Sequence, residues 1–167
     1  GGDGCPTIWG TSSIDRGGCP DSDGDMWSDA DADWPVCVLN SGYGDAWPDD
    51  PNQWCDTDGD GFGDEHYFEF DASTRLRVNE HGDAFPNNPT QWRDQDGDGI
   101  GDNYSYSLGT NGLRTEQTGD AFPTNPLQHQ DTDGDGWGDI YSWIDDMNGM
   151  RIEEGDAFFL DPLAWSD

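Results

Sequence analysis

The sequence predicts a mostly irregular, small-β fold: an elongated tandem array of Asp-rich loops, each carrying an inserted β-hairpin, with few or no helices. Three observations lead there. An acidic phrase recurs in register, as DSDGDMWSD from Asp21, DTDGDGFGD from Asp56, DQDGDGIGD from Asp94 and DTDGDGWGD from Asp131, at offsets of 35, 38 and 37 residues. Self-similarity at such a period marks a repeat architecture, in which each unit leans on its neighbours. Between the acidic phrases, apolar and aromatic residues alternate with polar ones, the period of a half-buried strand. No amphipathic helical pattern of about 10 residues or more appears.

Residues 1–20 form an N-terminal segment containing Cys5 and Cys19. Four repeats follow, at 21–55, 56–93, 94–130 and 131–167. A second phrase keeps step with the first: GDAWPDDPNQW from Gly44, GDAFPNNPTQW from Gly82, GDAFPTNPLQH from Gly119 and GDAFFLDPLAW from Gly155. The segments HYFEFDASTRLRVNEH from His66, YSYSLGTNGLRTEQT from Tyr104 and IYSWIDDMNGMRIEE from Ile140 each read as a hairpin, and the last two turn at Asn-Gly. The first repeat is the exception, with WPVCVLNSGY from Trp34 in the hairpin's place.

The chain has 167 residues, with 37 Asp plus Glu against 6 Lys plus Arg, for a net charge of −31. By charge and its 31% hydrophobic content it belongs with disordered chains. Its aromatics, 13% of residues with nine Trp, argue against that, as does acid that is mostly Asp, alternates with Gly and recurs in register. A solvated acidic tail is blocky instead. The charge calls for a partner, and a metal is the simplest. Nucleic acid and anionic membrane surfaces have the wrong sign. No apolar run approaches the roughly 18 residues that span a bilayer.

The four cysteines are Cys5, Cys19, Cys37 and Cys55, with no Cys-x-x-Cys among them. An even count in this composition fits disulfides formed in an oxidising, extracellular or cell-surface setting. Three connectivities exist, and the local pairs Cys5–Cys19 and Cys37–Cys55 are preferred.

Aromatics keep register as well. Trp27, Phe62, Ile100 and Trp137 hold the seventh place of the acidic phrase; Trp47, Phe85, Phe122 and Phe158 follow Gly-Asp-Ala; Trp54, Trp92, His129 and Trp165 precede the next acidic phrase. Three packing residues per unit explain them better than a sugar-stacking surface.

The acidic loops have the chemistry of a hard cation. Ca2+ takes oxygens from Asp at loop positions 1, 3 and 5 and a carbonyl at 7. Those are Asp21, Asp23, Asp25 and Trp27; Asp56, Asp58, Asp60 and Phe62; Asp94, Asp96, Asp98 and Ile100; and Asp131, Asp133, Asp135 and Trp137. Position 9 is Asp29, Asp64, Asp102 or Asp139, acting directly or through water. Mg2+ keeps its waters and softer metals want His or Cys, so a cage this rich in Asp favours Ca2+. Position 12, where an EF-hand carries Glu, is Tyr67, Ser105 or Ser142, so these are not EF-hands and one ligand must come from elsewhere.

The run GDAFPNNPTQWRDQDGDGIGD, from Gly82 to Asp102, resembles the thrombospondin type 3 calcium repeats, and the resemblance extends from Asp21 to the end of the sequence. It implies that the missing ligand is the Asp of Gly-Asp-Ala: Asp45, Asp83, Asp120 and Asp156. Each hairpin then lies between loop positions 9 and 12, and its closed base brings Asp83 back beside Asp64. The resemblance further implies ligands at Asn88 and Asn125, with Asp50 and Asp161 as carboxylate variants, and, in an oxygen cage of this kind, about two ions per repeat. The run GCPTIWGTSSIDRGGCPDSDGD from Gly4 is similar to the start of such arrays in secreted proteins of marine archaea and bacteria, which favours Cys5–Cys19. Met26 departs from the pattern by replacing the loop's Gly, which predicts a distorted first loop with Asp29, Asp31 and Asp33 compensating. Ala164 departs where Gln53, Gln91 and Gln128 stand.

These features predict an extracellular, calcium-stabilised structural protein: a stalk, or a filament subunit whose partners are adjoining repeats or copies of itself. The alternative is a calcium-dependent adhesive module binding glycans or proteins. Asp167 falls on the first position of a fifth loop, so the chain is expected either to be part of a longer array or to meet the N-terminal region of the next copy head to tail. Asn103-Tyr104-Ser105 matches a glycosylation acceptor. An enzyme is not expected: His66, His81 and His129 are scattered, and metal ligation explains the paired carboxylates better than glycoside hydrolysis.

Overall fold

The computed structural model describes residues 4–75, 77–145, 147 and 151–164. Among them there is no helix, and the strands are short, so the fold is mostly irregular with small β elements. In particular, no helix is long and apolar enough to cross a membrane. The chain divides into two compact units, Gly1–Trp92 and Arg93–Asp167.

In the first unit β1 (Cys37–Val38) pairs in parallel with β2 (Cys55–Asp56), Cys37 opposite Cys55. The same two residues are joined as a disulfide, and Cys5 is joined to Cys19. β3 (Tyr67–Phe70) and β4 (Arg77–His81) form the first hairpin. Its turn is built by Asp71, whose Oδ1 accepts from the amides of Ser73 (2.9 Å) and Thr74 (2.7 Å). That local capture is the usual reason Asp initiates turns.

In the second unit β5 (Ser105–Leu108) pairs with β6 (Arg114–Thr118), and β7 (Ser142–Asp145) with β8 (Arg151–Glu154), both antiparallel. The β5–β6 turn falls at Asn111-Gly112, with Gly112 at φ 83°. The other Asn-Gly pair, Asn148-Gly149, lies outside the described residues, as do Trp165 and Asp167.

The interior inverts the usual pattern, in which charged side chains are almost never fully buried unless paired. Cys19 is the one buried apolar side chain among the described residues. The largest fully buried side chains are Asp45, Asp83, Asp120 and Asp156, with Gln53, Gln91 and Gln128 also buried. These units are packed around carboxylates and amides rather than around hydrocarbon.

Candidate metal centres

The second, third and fourth acidic loops curl by the same local bonds. Asp56 accepts from the amides of Gly59 (Oδ1, 2.6 Å) and Gly61 (Oδ2, 3.0 Å). Asp94 does so with Gly97 and Gly99, and Asp131 with Gly134 and Gly136. These glycines sit at φ between 81° and 97°, a left-handed backbone they tolerate without steric cost. The third carboxylate accepts from the fifth amide and the fifth from the seventh, as in Asp58 to Asp60 and Asp60 to Phe62. The result is convergence. Carboxylate oxygens of Asp21, Asp23 and Asp25, of Asp56, Asp58 and Asp60, of Asp94, Asp96 and Asp98, and of Asp131, Asp133 and Asp135 come within 4.8 Å of one another in each group. Two oxygens on opposite sides of one Ca2+ stand up to about 5.2 Å apart, so that spacing suits a shared ion.

The ninth residue closes the loop onto the second. Both oxygens of Asp64 accept from Thr57, at 2.8 Å from its amide and 2.6 Å from its hydroxyl. Asp139 does the same with Thr132, Asp29 with Ser22, and Asp102 accepts from the Gln95 amide. These carboxylates therefore brace the loop.

The Asp of each Gly-Asp-Ala phrase is delivered by the base of its insert, a hairpin in the last three repeats. The Asp83 amide donates to the Gly63 carbonyl at 2.8 Å, Asp120 to Gly101 at 2.8 Å, Asp156 to Gly138 at 2.7 Å and Asp45 to Ser28 at 2.8 Å. Position 8 of every loop thus holds the residue that returns after the insert. Oδ1 of Asp83 accepts from the Phe85 amide, while its Oδ2 is buried with no hydrogen-bond donor. Oδ2 of Asp120 and Asp156 is in the same state, as is Oδ2 of Asp58, Asp60, Asp96 and Asp133 and of Asp23 and Asp25 in the first loop. Burial, then the carboxylates of Asp60, Asp58 and Asp64, raise the Asp83 pKa to about 6. Asp45 and Asp120 are raised to about 6 by burial and their own loop carboxylates, and Asp156 is raised for the same reasons. A buried carboxylate needs a proton or a cation, and each of these faces a loop triad rather than an Arg or Lys.

Asn88, Asn125, Asp50 and Asp161 occupy equivalent turns. The Gln91 amide donates to the Asn88 carbonyl at 2.9 Å, and Gln128 to Asn125 likewise. Their side chains serve the turn: Asn88 Oδ1 accepts from the Thr90 hydroxyl at 2.8 Å, and Asn125, Asp50 and Asp161 cap the amide two residues on.

What the turn positions is the glutamine, a role the sequence shows only as a recurring letter before the aromatic. Gln53 Nε2 donates to the Glu65 carbonyl at 2.7 Å and its Oε1 accepts the Glu65 amide at 3.2 Å. Gln128 clamps Ile140 in the same way, at 2.5 and 3.0 Å. The tenth loop residue is thereby pinned where the hairpin leaves. Rings add a second tie: Trp27 stacks on Trp54 and Phe62 on Trp92, with centroids 5.6 and 5.0 Å apart. In the third repeat Ile100 and His129 instead line an open cleft with Leu127 and Ile140.

The first loop still brings its triad together despite Met26. That residue adopts φ 83°, the left-handed backbone of Gly61, and its carbonyl accepts from the amides of Ser13 (2.9 Å) and Ile14 (3.1 Å). Asp21 Oδ2 accepts instead from the Thr11 hydroxyl at 3.1 Å. The Met26 amide makes no bond to Asp21 of the kind Gly61 makes to Asp56, so the first loop departs from the others at this point, while the N-terminal segment holds the turn. Asp31 pairs with Arg16 at 2.8 Å and accepts from the amides of Asp33 and Trp34, so its carboxylate is engaged away from the triad. Asp15, in the same segment, accepts from Ser28 and from the Trp34 indole.

Compared with family models, curated proteins and solved structures, the chain matches none.

Proposed function

We propose that this chain is an extracellular structural protein whose repeats fold around calcium. The observation that carries the reading is the set of buried, donor-free Oδ2 atoms on Asp83, Asp120 and Asp156, each beside a converging triad. A second body of support is the near absence of an apolar interior among the described residues. An ion present at 100 times its dissociation constant stabilises a fold by about 2.7 kcal/mol. Several together exceed the roughly 5–15 kcal/mol that stabilises an ordinary domain. Calcium thereby does the work of a hydrophobic core, with the buried Asp as its walls. The two disulfides support a setting outside the reducing cytosol.

Such a module suits an architectural role, as a stalk or as a filament subunit built from adjoining repeats or copies of the chain. The adhesive reading rests on the aromatics the hairpins expose: Phe70, Tyr106 and Trp143. A glycan array probed in calcium separates the two, because a purely architectural chain leaves every glycan unbound.

Circular dichroism and limited proteolysis in millimolar Ca2+ and in excess chelator test the core claim. Chelation should abolish the aromatic signal and open the chain to protease, and added Ca2+ should restore both. Spectra and cleavage that ignore the chelator would refute calcium as the organising ligand. Electron microscopy in calcium reads out assembly: filaments support the subunit role, and single particles leave the stalk.

A further inference from the structure

In the fourth loop the first carboxylate already has a cation from the chain itself. Arg114, on β6, places Nη1 2.9 Å from Asp131 Oδ2 and 3.3 Å from the Asp131 carbonyl. The carboxylate is 5% exposed, and the guanidinium lies over the Tyr106 ring, 4.6 Å from its centroid. The contact is built rather than incidental. The Arg114 amide donates to the Thr132 carbonyl, Gln117 Oε1 accepts the Asp131 amide at 3.1 Å, and Gln117 Nε2 donates to the Thr132 hydroxyl at 3.1 Å.

The second loop supplies an internal control. There the residue over the glycine at position 4 is Leu39, its side chain close against Gly59 and its amide donating to the Asp56 carbonyl at 3.0 Å. In the fourth loop the guanidinium of Arg114 lies over Gly134, the same position. Asp56 and Asp131 accept from their loop glycines alike. At this contact the two sites differ by one positive charge held on a ligand carboxylate; elsewhere Phe62 and Glu65 stand where the fourth loop has Trp137 and Ile140, so substitutions at the contact, not the wild-type comparison alone, isolate the charge.

We infer that Arg114 is a built-in counter-ion that sets the calcium affinity of the fourth loop below that of the second, by drawing charge from Asp131 and repelling the incoming cation. This rests on the calcium reading above. It makes the fourth loop fill at higher calcium than the second, with the β5–β6 hairpin in direct contact with it.

The test follows the amide resonances of Gly61 and Gly136 in one calcium titration of the full chain by NMR. Wild type should show Gly136 moving at higher calcium than Gly61. Arg114→Leu should lower the Gly136 midpoint about three- to tenfold, the scale of one charge near a partly screened site, with Gly61 unmoved. Arg114→Lys, which keeps the charge, should stay near wild type. The reciprocal Leu39→Arg should raise the Gly61 midpoint by a similar factor, and it stands as an independent test should Arg114→Leu unfold the hairpin. A Gly136 midpoint that rises or stays fixed in Arg114→Leu, or a Gly61 midpoint unmoved in Leu39→Arg, would overturn the inference while leaving calcium binding intact. If no loop responds to calcium, the reading beneath it fails as well.

Discussion

The Gln53 carboxamide bridges the base of the first hairpin, giving Nε2 to the Glu65 carbonyl and taking the Glu65 amide on Oε1. A backbone that leaves a loop to make a hairpin has no ladder partner at the exit, and a buried amide supplies both hydrogen bonds at once. Gln53→Ala removes both hydrogen bonds from two partly buried backbone groups. It should cost about 1–2 kcal/mol, the net worth of two such bonds at a partly buried site. Gln128→Ala should cost the same through Ile140. Urea unfolding in saturating calcium measures both, and a loss below about 0.5 kcal/mol would show that water replaces the clamp.

Glycine has two different uses in each repeat, and alanine substitution should separate them. A Cβ on Gly82 would sit 2.0 Å from the Glu65 carbonyl oxygen, on backbone held at φ 72°. Gly61 also has positive φ, at 97°, but a Cβ there meets open space. Gly61→Ala should therefore cost only the left-handed strain, about 1–2 kcal/mol. Gly82→Ala must also push the hairpin base off its loop and should cost about 3 kcal/mol or more. Paired denaturation curves check the order, and equal costs would mean that the base yields.

Much of this was legible in the sequence, because the repeat register carries it. The spacing from Asp56 to Asp64 specifies a loop of Asx turns, and the alternation in YFEF and SYSL specifies strands. The return of Asp83 to the loop came from a resemblance, and the structure shows its physical basis in the Asp83–Gly63 bond. Other parts were hidden for definite reasons. Gln53 and Gln128 act on backbone atoms 12 residues away, a pairing that no local pattern encodes. Asp64 reads as a ligand by position, directly or through water; that both its oxygens also accept from Thr57, a hydroxyl and an amide presented together, is not legible in the register. Arg114 lies in a variable hairpin, where register says nothing about what its side chain meets.

Met26 invites a stabilising change. It is half exposed and holds a left-handed backbone that costs a β-carbon about 1–2 kcal/mol, here secured by the amides of Ser13 and Ile14. Met26→Gly removes that strain but adds freedom to the unfolded chain. The net gain should be about 0.5–1 kcal/mol, seen as a higher melting temperature in calcium. A lower one would mean that the Met26 side chain contributes packing that outweighs its strain.

Acid should act on the two forms of the protein in opposite directions. Asp45, Asp83 and Asp120 have folded pKa values of about 6, above the usual carboxylate value of about 3.9. A raised folded pKa means that the folded state binds the proton more tightly than the unfolded chain. The cost of burying the ionised group is therefore full above pH 6, shrinks as pH falls through 6 and is gone below about 4. In chelator, lowering the pH from 7.5 to 5 should restore compactness. In calcium the proton competes with the ion for the same oxygens, so the apparent affinity of each of these loops at pH 5 should be about tenfold below its value at pH 7. Asp83→Asn separates the site from the chain's overall charge. The amide keeps an oxygen for the Phe85 N–H but neither titrates nor carries charge. Calcium binding at the second loop should then weaken about tenfold or more, and should lose its pH dependence between 5 and 7, while the first and third loops keep theirs. The amides of Gly61 and Gly99, followed through calcium titrations at both pH values, read the second and third loops separately. A second loop that keeps its pH dependence in Asp83→Asn would remove Asp83 from the ion's shell.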